Sequence, residues 1–116
     1  MPRRPIDQRQ EFAVEDGHLV RRVQRPDGTS YAHRCGLAAY REVAWFLEAH
    51  AEAGVTTGKI WSGLPDVPCS QASVALAFLK ERGCVEVRWR RVRPASTFLF
   101  EDSMTEFHAL EVGSPT

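Results

Sequence analysis

A cluster of basic side chains late in the chain is the part of the sequence best suited to bind an anion. The segment 80–93 holds six basic and two acidic residues, a local balance of plus four. The basic residues are Lys80, Arg82, Arg88, Arg90, Arg91 and Arg93. Guanidinium groups offer forked donors that match phosphate oxygens. Charge alone equally allows these arginines to be a solvated strand edge that discourages aggregation.

The net charge of the whole chain conceals this cluster. Its 116 residues include fifteen Lys plus Arg and fifteen Asp plus Glu, a formal net charge of zero. The segment 101–116 contains four acidic residues and no Lys or Arg, a balance of minus four that cancels the basic cluster. A neutral total therefore does not exclude a polyanionic partner.

The remaining reactive residue types give no pattern typical of an enzyme. The four histidines are far apart, and the three cysteines form no CxxC pair. Only His33 and Cys35 lie close together, and we expect an exposed histidine and a buried thiol rather than metal ligands. No phosphate-loop, dinucleotide, zincin or hydrolase motif is present. The sequence predicts no catalytic residues, no cofactor and no metal.

Length and hydropathy indicate one small domain. A chain of 116 residues with 43% hydrophobic residues is long enough for a single core. No apolar run approaches the ~18 residues that span a bilayer, and the first residues lack the apolar segment of a secretory signal. We therefore expect a cytoplasmic protein with reduced cysteines and no membrane partner.

Periodicity divides the chain into a flexible arm, residues 1–17, and a domain, residues 18–116. The arm has at most a short edge segment near Phe12 to Val14. Two β-rich runs around a Pro-Asp-Gly turn predict a hairpin over 18–35. Apolar residues at three- and four-residue steps then predict an amphipathic helix from residue 37 to 53.

Two further helices are predicted from their caps. Thr56 can cap a short second helix, which ends before Pro65. Ser70 is a good N-cap for a third helix, and Gly83 stands where a left-handed residue closes it. On this helix we expect Val74 on the arc away from the core.

The end of the chain predicts two strands and a helix. Residues 85–90 alternate strictly, which places Trp89 on the inner side with the valines. A basic turn leads to a second strand over 97–101. Ser103 and Glu106 form a capping box that opens a C-terminal helix over 103–111.

The order of elements from 37 to 101 resembles the winged helix-turn-helix family of DNA-binding regulators. The segments that carry the likeness are Gly54-Val55-Thr56-Thr57, Ser70-Gln71-Ala72-Ser73 and Leu79-Lys80-Glu81-Arg82-Gly83-Cys84-Val85. The resemblance implies an α+β fold with a winged-helix core over 37–101. The N-terminal hairpin and the short C-terminal helix are additions to that core.

The resemblance implies a transcriptional regulator that binds double-stranded DNA. In this family the third helix enters the major groove, and the wing contacts adjacent phosphates or the minor groove. The implied helix residues are Ser70, Gln71, Ser73, Val74, Ala77 and Lys80, and the implied wing residues are Arg88, Arg90, Arg91 and Arg93. Gln71 suits an adenine edge, and Val74 or Ala77 suits a thymine methyl.

Two questions about partners stay open at this point. The small, weakly apolar side of the third helix suggests an alternative, a protein-interaction module that binds no nucleic acid. Met104, Phe107 and Leu110 form an apolar stripe on the C-terminal helix. This stripe predicts a homodimer, since readers of this kind often bind two-fold sites.

Overall fold

The computed structural model describes residues 9–113, which form an α+β domain. These residues comprise a three-stranded antiparallel sheet, a separate two-stranded hairpin and four helices. The predicted α+β class is confirmed. Of the predicted arm over 1–17, residues 1–8 lie outside the described residues.

The N-terminal sheet is larger than the sequence predicted. Its strands are β1 (Arg9–Glu15), β2 (His18–Gln24) and β3 (Ser30–Gly36), in that order. The hairpin predicted over 18–35 is confirmed as β2 and β3, whereas residues 9–15 form a full strand and not an arm. Asp16 and Gly17 join β1 to β2 with φ angles of 52° and 75°. A two-residue turn of this hand matches the twist of paired strands, so β1 pairs with β2 along its whole length.

Two helices follow the sheet as predicted, except that the first ends at Ala49, four residues before the predicted end at residue 53. They are α1 (Leu37–Ala49) and α2 (Thr57–Gly63). On α1, Tyr40, Val43 and Leu47 are buried on one face. The Thr56 hydroxyl accepts a hydrogen bond from the Lys59 N–H at 3.2 Å, which confirms the predicted cap of α2.

The third helix, α3 (Cys69–Glu81), has the C-terminal end that its sequence predicted. Its cap position is Pro68 rather than the predicted Ser70, so the helix begins two residues earlier than expected. At the other end Gly83 has a φ of 74°. The N–H groups of Gly83 and Cys84 donate to the carbonyls of Lys80 and Leu79, a pairing that closes a helix on a left-handed residue.

The hairpin after α3 is shorter and tighter than predicted. Its strands are β4 (Val85–Arg88) and β5 (Arg91–Pro94), with Val87 opposite Val92 and Arg88 opposite Arg91. The strand predicted over 85–90 therefore ends at residue 88, and the predicted basic turn is itself β5. Val55, in the link between α1 and α2, forms a bridge to Val92 on the free edge of β5.

The predicted strand over 97–101 is wrong, because these residues lead into the last helix, α4 (Leu99–Gly113). The Phe100 N–H donates to the Glu48 carboxylate of α1 at 2.9 Å, which fixes the start of this helix. The predicted capping box is also wrong. Ser103 lies within the helix, fully buried, with its hydroxyl donating to the Leu99 carbonyl at 2.7 Å.

Helix α4 packs on the same core as the sheet, α1 and α3. The Tyr40 hydroxyl of α1 donates to the Ser103 carbonyl at 2.6 Å, and the Tyr40 ring lies 5.3 Å from that of Phe107. Phe78 of α3 lies 5.2 Å from Phe12 of β1 by ring centroids. Val85 and Val92 at the base and middle of the hairpin β4–β5 belong to this core, whereas residues 88–91 at its far end are exposed.

Candidate nucleic-acid interface

The exposed face of α3 is narrower than the sequence predicted. Ser70, Ser73 and Lys80 are exposed, and Ala77 is half-buried. Val74 is only 1% exposed, which corrects the expectation that it lies on the reading face. The reason is that α3 contacts β2 and β3 on one side and α1 on another, so the added sheet covers this arc. Val74 stabilises the core and cannot reach a thymine methyl.

Gln71 has a partner within the fold. Its Oε1 accepts a hydrogen bond from the Gly36 N–H at 3.0 Å, where β3 passes into α1. An adenine edge needs both the carbonyl and the amino group of a glutamine. Gln71 therefore ties α3 to the sheet in this state, and it is available to a base only if this bond opens.

A cleft of about 610 Å³ separates α3 from the hairpin and brings several predicted residues together. Ser73, Ala77 and Lys80 line one side, and Arg90 lines the other. Leu76, Val87 and Val92 also line the cleft. The cleft thus has apolar side chains between polar and basic groups, and its mouth is open to solvent.

The hairpin has a strong excess of positive charge. Over 85–94 there are four arginines and one glutamate, a balance of plus three. Arg88 and Arg90 are exposed, and among the described residues neither forms an ion pair or a side-chain hydrogen bond. Arg91 and Arg93 reach back to carbonyls of the α1–α2 link, at 3.5 Å to Gly54 and 3.3 Å to Glu52. Arg88 and Arg90 are therefore the cations most available to a phosphate.

The acidic part of the chain lies at the base of the hairpin. Glu106 of α4 is 3.7 Å from the Arg82 guanidinium, next to the end of α3. Burial, together with the neighbouring carboxylates of Glu106 and Asp102, raises the pKa of the Cys84 thiol to about 11. Among the described residues no ion pair joins α4 to Arg88 or Arg90.

The tip of the hairpin is the feature that the sequence did not predict. The alternation over 85–90 predicts Trp89 on the inner side of a strand, but its side chain is 94% exposed. Trp89 and Arg90 form the two-residue turn, with φ angles of 51° and 66°. Left-handed backbone costs an ordinary L-residue about 1–2 kcal/mol, and such turns favour Asn-Gly. A signal was available, since Val87-Arg88 and Arg91-Val92 are mirror images around these two residues.

A second and larger groove, of about 790 Å³, lies beside Gln71. His18 and Arg34 line it together with Glu42 and Asp66, so its charges are mixed. Because opposite charges neutralise one another there, this groove is less suited to a polyanion than the hairpin cleft.

His33 and Cys35 have the exposure that the sequence predicted. His33 is exposed and Cys35 is fully buried, which raises the pKa of the Cys35 thiol to about 12. Cys69 is exposed at the start of α3. Within residues 9–113, no three His, Cys, Asp or Glu side chains come together in a group that could hold a metal ion.

Comparison with known proteins finds no matching family model, no similar curated protein and no similar solved structure. Among the helices of residues 9–113, none combines the length and apolar character needed to cross a membrane. The candidate interface is therefore defined by the residues described above.

Proposed function

We propose that this chain is a winged helix-turn-helix protein that binds double-stranded DNA as a transcriptional regulator. The observation that carries the proposal is the cleft between α3 and β4–β5, where Ser73 and Lys80 face Arg90. In such a protein α3 enters the major groove, and the hairpin is the wing. The unpaired Arg88 and Arg90 bind phosphates on the flanking backbone.

The connections around the hairpin support the winged-helix assignment. The Val55–Val92 bridge adds the link between α1 and α2 to β4–β5 as a third, very short strand. Gly83 closes the end of α3, and the chain enters β4 two residues later. This arrangement connects the hairpin firmly to the helix pair, as a wing that positions a recognition helix requires.

The exposed groups define how DNA is bound. On α3 the candidate contacts are Ser70, Ser73, Ala77 and Lys80, with Gln71 engaged elsewhere and Val74 buried. On the wing they are Arg88 and Arg90, and then Arg91 and Arg93 once their bonds to backbone carbonyls open. Most of the binding energy is therefore electrostatic, and the bases are read through few hydrogen bonds.

The salt dependence of binding to a fluorescent mixed-sequence duplex tests this proposal. Contacts of four arginines with phosphates predict a slope of about −3.6 in log affinity against log salt. Arg88→Ala and Arg90→Ala should each weaken binding and make the slope shallower by about 0.9. Arg41→Ala, which removes the same charge from the exposed face of α1, is the matched control. Equal affinities and slopes for all three variants contradict a role for the wing.

A protein contact is the second candidate function, favoured by an aromatic surface on α1 and the start of α4. Trp45 is 51% exposed and stacks on Phe100 at 4.0 Å, and Phe98 is 63% exposed. The stripe predicted to form a homodimer is not this surface, since Phe107 is fully buried in its own core. Sedimentation of the wild type and of Trp45→Ser at high micromolar concentration tests self-association. A wild type that stays monomeric rules out a homodimer through these aromatic residues.

A further inference from the structure

Trp89 is the most exposed large apolar side chain among the described residues, and it stands at the outermost point of the wing. We propose that Trp89 is a DNA-inserting residue whose indole wedges into the minor groove and stacks against a base step. This inference rests on the proposed DNA-binding function and extends it to a residue outside the helix and phosphate contacts described above.

The reach of the hairpin matches the depth of the groove. Val87 and Val92 face each other and still line the cleft beside α3. Trp89 follows two residues later, about 7 Å further out at the usual rise of a strand. A minor groove is about 7.5 Å deep and only about 6 Å wide, so a side chain at a two-residue tip is the part of the hairpin that fits.

Charge complementarity identifies nucleic acid as the occupant. Trp89 is preceded by Arg88 and followed by Arg90 and Arg91, so three of the four residues at the tip are positive. The one carboxylate of the hairpin, Glu86, lies three residues before the indole and pairs in register with Arg93. A protein partner for this tip needs a pocket lined by carboxylates, whereas DNA offers phosphates on both walls of the groove and stacked bases at its floor.

The backbone of the tip favours the same function. An ordinary hairpin turn uses Asn-Gly, and this one holds a tryptophan and an arginine at positive φ with few contacts to the rest of the fold. Architectural DNA-binding proteins insert large apolar side chains between base steps and bend the duplex by about 20–90°. Insertion of Trp89 therefore predicts a bent complex as well as a stacked indole.

The experiment uses a chain in which Trp89 is the only tryptophan. Trp61 lines the cleft and Trp45 stacks on Phe100, so both respond to other events and are replaced by Phe. This chain is titrated at about 50 mM salt with a mixed-sequence duplex of about 20 base pairs that contains a central TA step. The tryptophan emission is recorded, and energy transfer between dyes on the duplex ends reports bending.

Insertion predicts that binding quenches the Trp89 emission and shortens the distance between the duplex ends. In the wild-type background Trp89→Ala should weaken binding roughly 5- to 150-fold and abolish the bend, because loss of one base–aromatic stack has effects of this size. Trp89→Phe keeps an aromatic face and should retain most of the DNA affinity and most of the bend. A thermal scan of each variant establishes that it is folded.

Three other outcomes separate this inference from the proposed function. If Arg90→Ala weakens binding while Trp89→Ala stays within twofold of wild type and the emission is unchanged, DNA binding stands and the wedge is refuted. If the wild type shows no binding to the duplex at about 50 mM salt, the proposed function fails and the wedge fails with it. Quenching without any change in the distance between the duplex ends refutes insertion and leaves only a surface contact.

Discussion

Replacing the tip of the hairpin by Asn-Gly should make the protein more stable and a weaker DNA binder. In the double variant Trp89→Asn, Arg90→Gly both residues are of the types that a two-residue turn with positive φ favours. The wild-type residues hold φ angles of 51° and 66°, and the indole is 94% exposed. The substitution therefore relieves the backbone and removes almost no packing.

The size of the gain follows from these angles. Left-handed backbone costs about 1–2 kcal/mol for each ordinary residue. Asn tolerates this region better, and Gly enters it freely but adds about 0.5–1 kcal/mol of unfolded-state entropy. The net expected gain is about 1–2 kcal/mol. With an unfolding entropy of about 2.1 cal/mol/K for each of 116 residues, the melting temperature rises by about 4–8 °C.

Thermal unfolding followed by circular dichroism measures this change, with duplex binding recorded on the same samples. Trp89→Ala is the matched control, since it removes the indole and keeps the left-handed demand on a residue with a Cβ. We expect no gain in stability from Trp89→Ala and a loss of DNA affinity in both variants. An Asn-Gly variant that melts at or below the wild-type temperature refutes the strain reasoning. An equal gain from the Ala variant assigns the effect to the indole and not to φ.

Four other measurements test the fold. Phe107→Ala should lower the unfolding free energy by about 3–5 kcal/mol, with a midpoint independent of protein concentration because Phe107 is buried within its own chain. In urea unfolding, Gly54→Ala should lower the unfolding free energy by more than about 1 kcal/mol, because the added Cβ meets a hairpin arginine at 2.7 Å and φ is 73°. Its control is Gly58→Ala, where the added Cβ meets open space within α2. This variant should raise the unfolding free energy by about 0.5–1 kcal/mol. A thiol reagent should modify Cys69 rapidly in the folded chain and Cys35 only after unfolding. Burial raises the pKa of the Cys35 thiol in the folded chain from 9.0 to about 12. Its contribution to the unfolding free energy should therefore stay constant below pH 9 and decrease as the pH rises from 9 toward 12.

Local signals explain which elements could be predicted. Helix α1 follows from apolar spacing, the Thr56 cap fixes the start of α2, and Gly83 fixes the end of α3. Each of these signals acts within a few residues, so it needs no knowledge of the rest of the fold. The β1–β2 hairpin also had such a signal, because Asp16-Gly17 is a strong hairpin dipeptide. The residues before this dipeptide have mixed charges and little periodicity, which is typical of an arm, and only their pairing with β2 makes them a strand.

Tertiary contacts explain the errors. The segment 97–101 is rich in residues that favour strands, but burial of Leu99 and the bond from Phe100 to Glu48 favour a helix. Val74 has the helical phase of an exposed residue, and the N-terminal sheet covers it. In both cases a distant part of the chain decides the outcome, and periodicity within one element carries no information about it.

The burial of Val74 and the internal bond of Gln71 change how the proposed interface recognises DNA. With Val74 buried and Gln71 bonded to Gly36, α3 presents two serines, one alanine and Lys80, a set with little capacity to distinguish base pairs. The hairpin has the free arginines and the exposed indole, and neither phosphate contacts nor stacking distinguish one base pair from another. A complex dominated by the hairpin selects DNA by how easily a step unstacks and bends, which favours flexible pyrimidine–purine steps over stiff A-tracts. In such a complex α3 sets the register on the duplex, and the deformability of the DNA determines the preferred site.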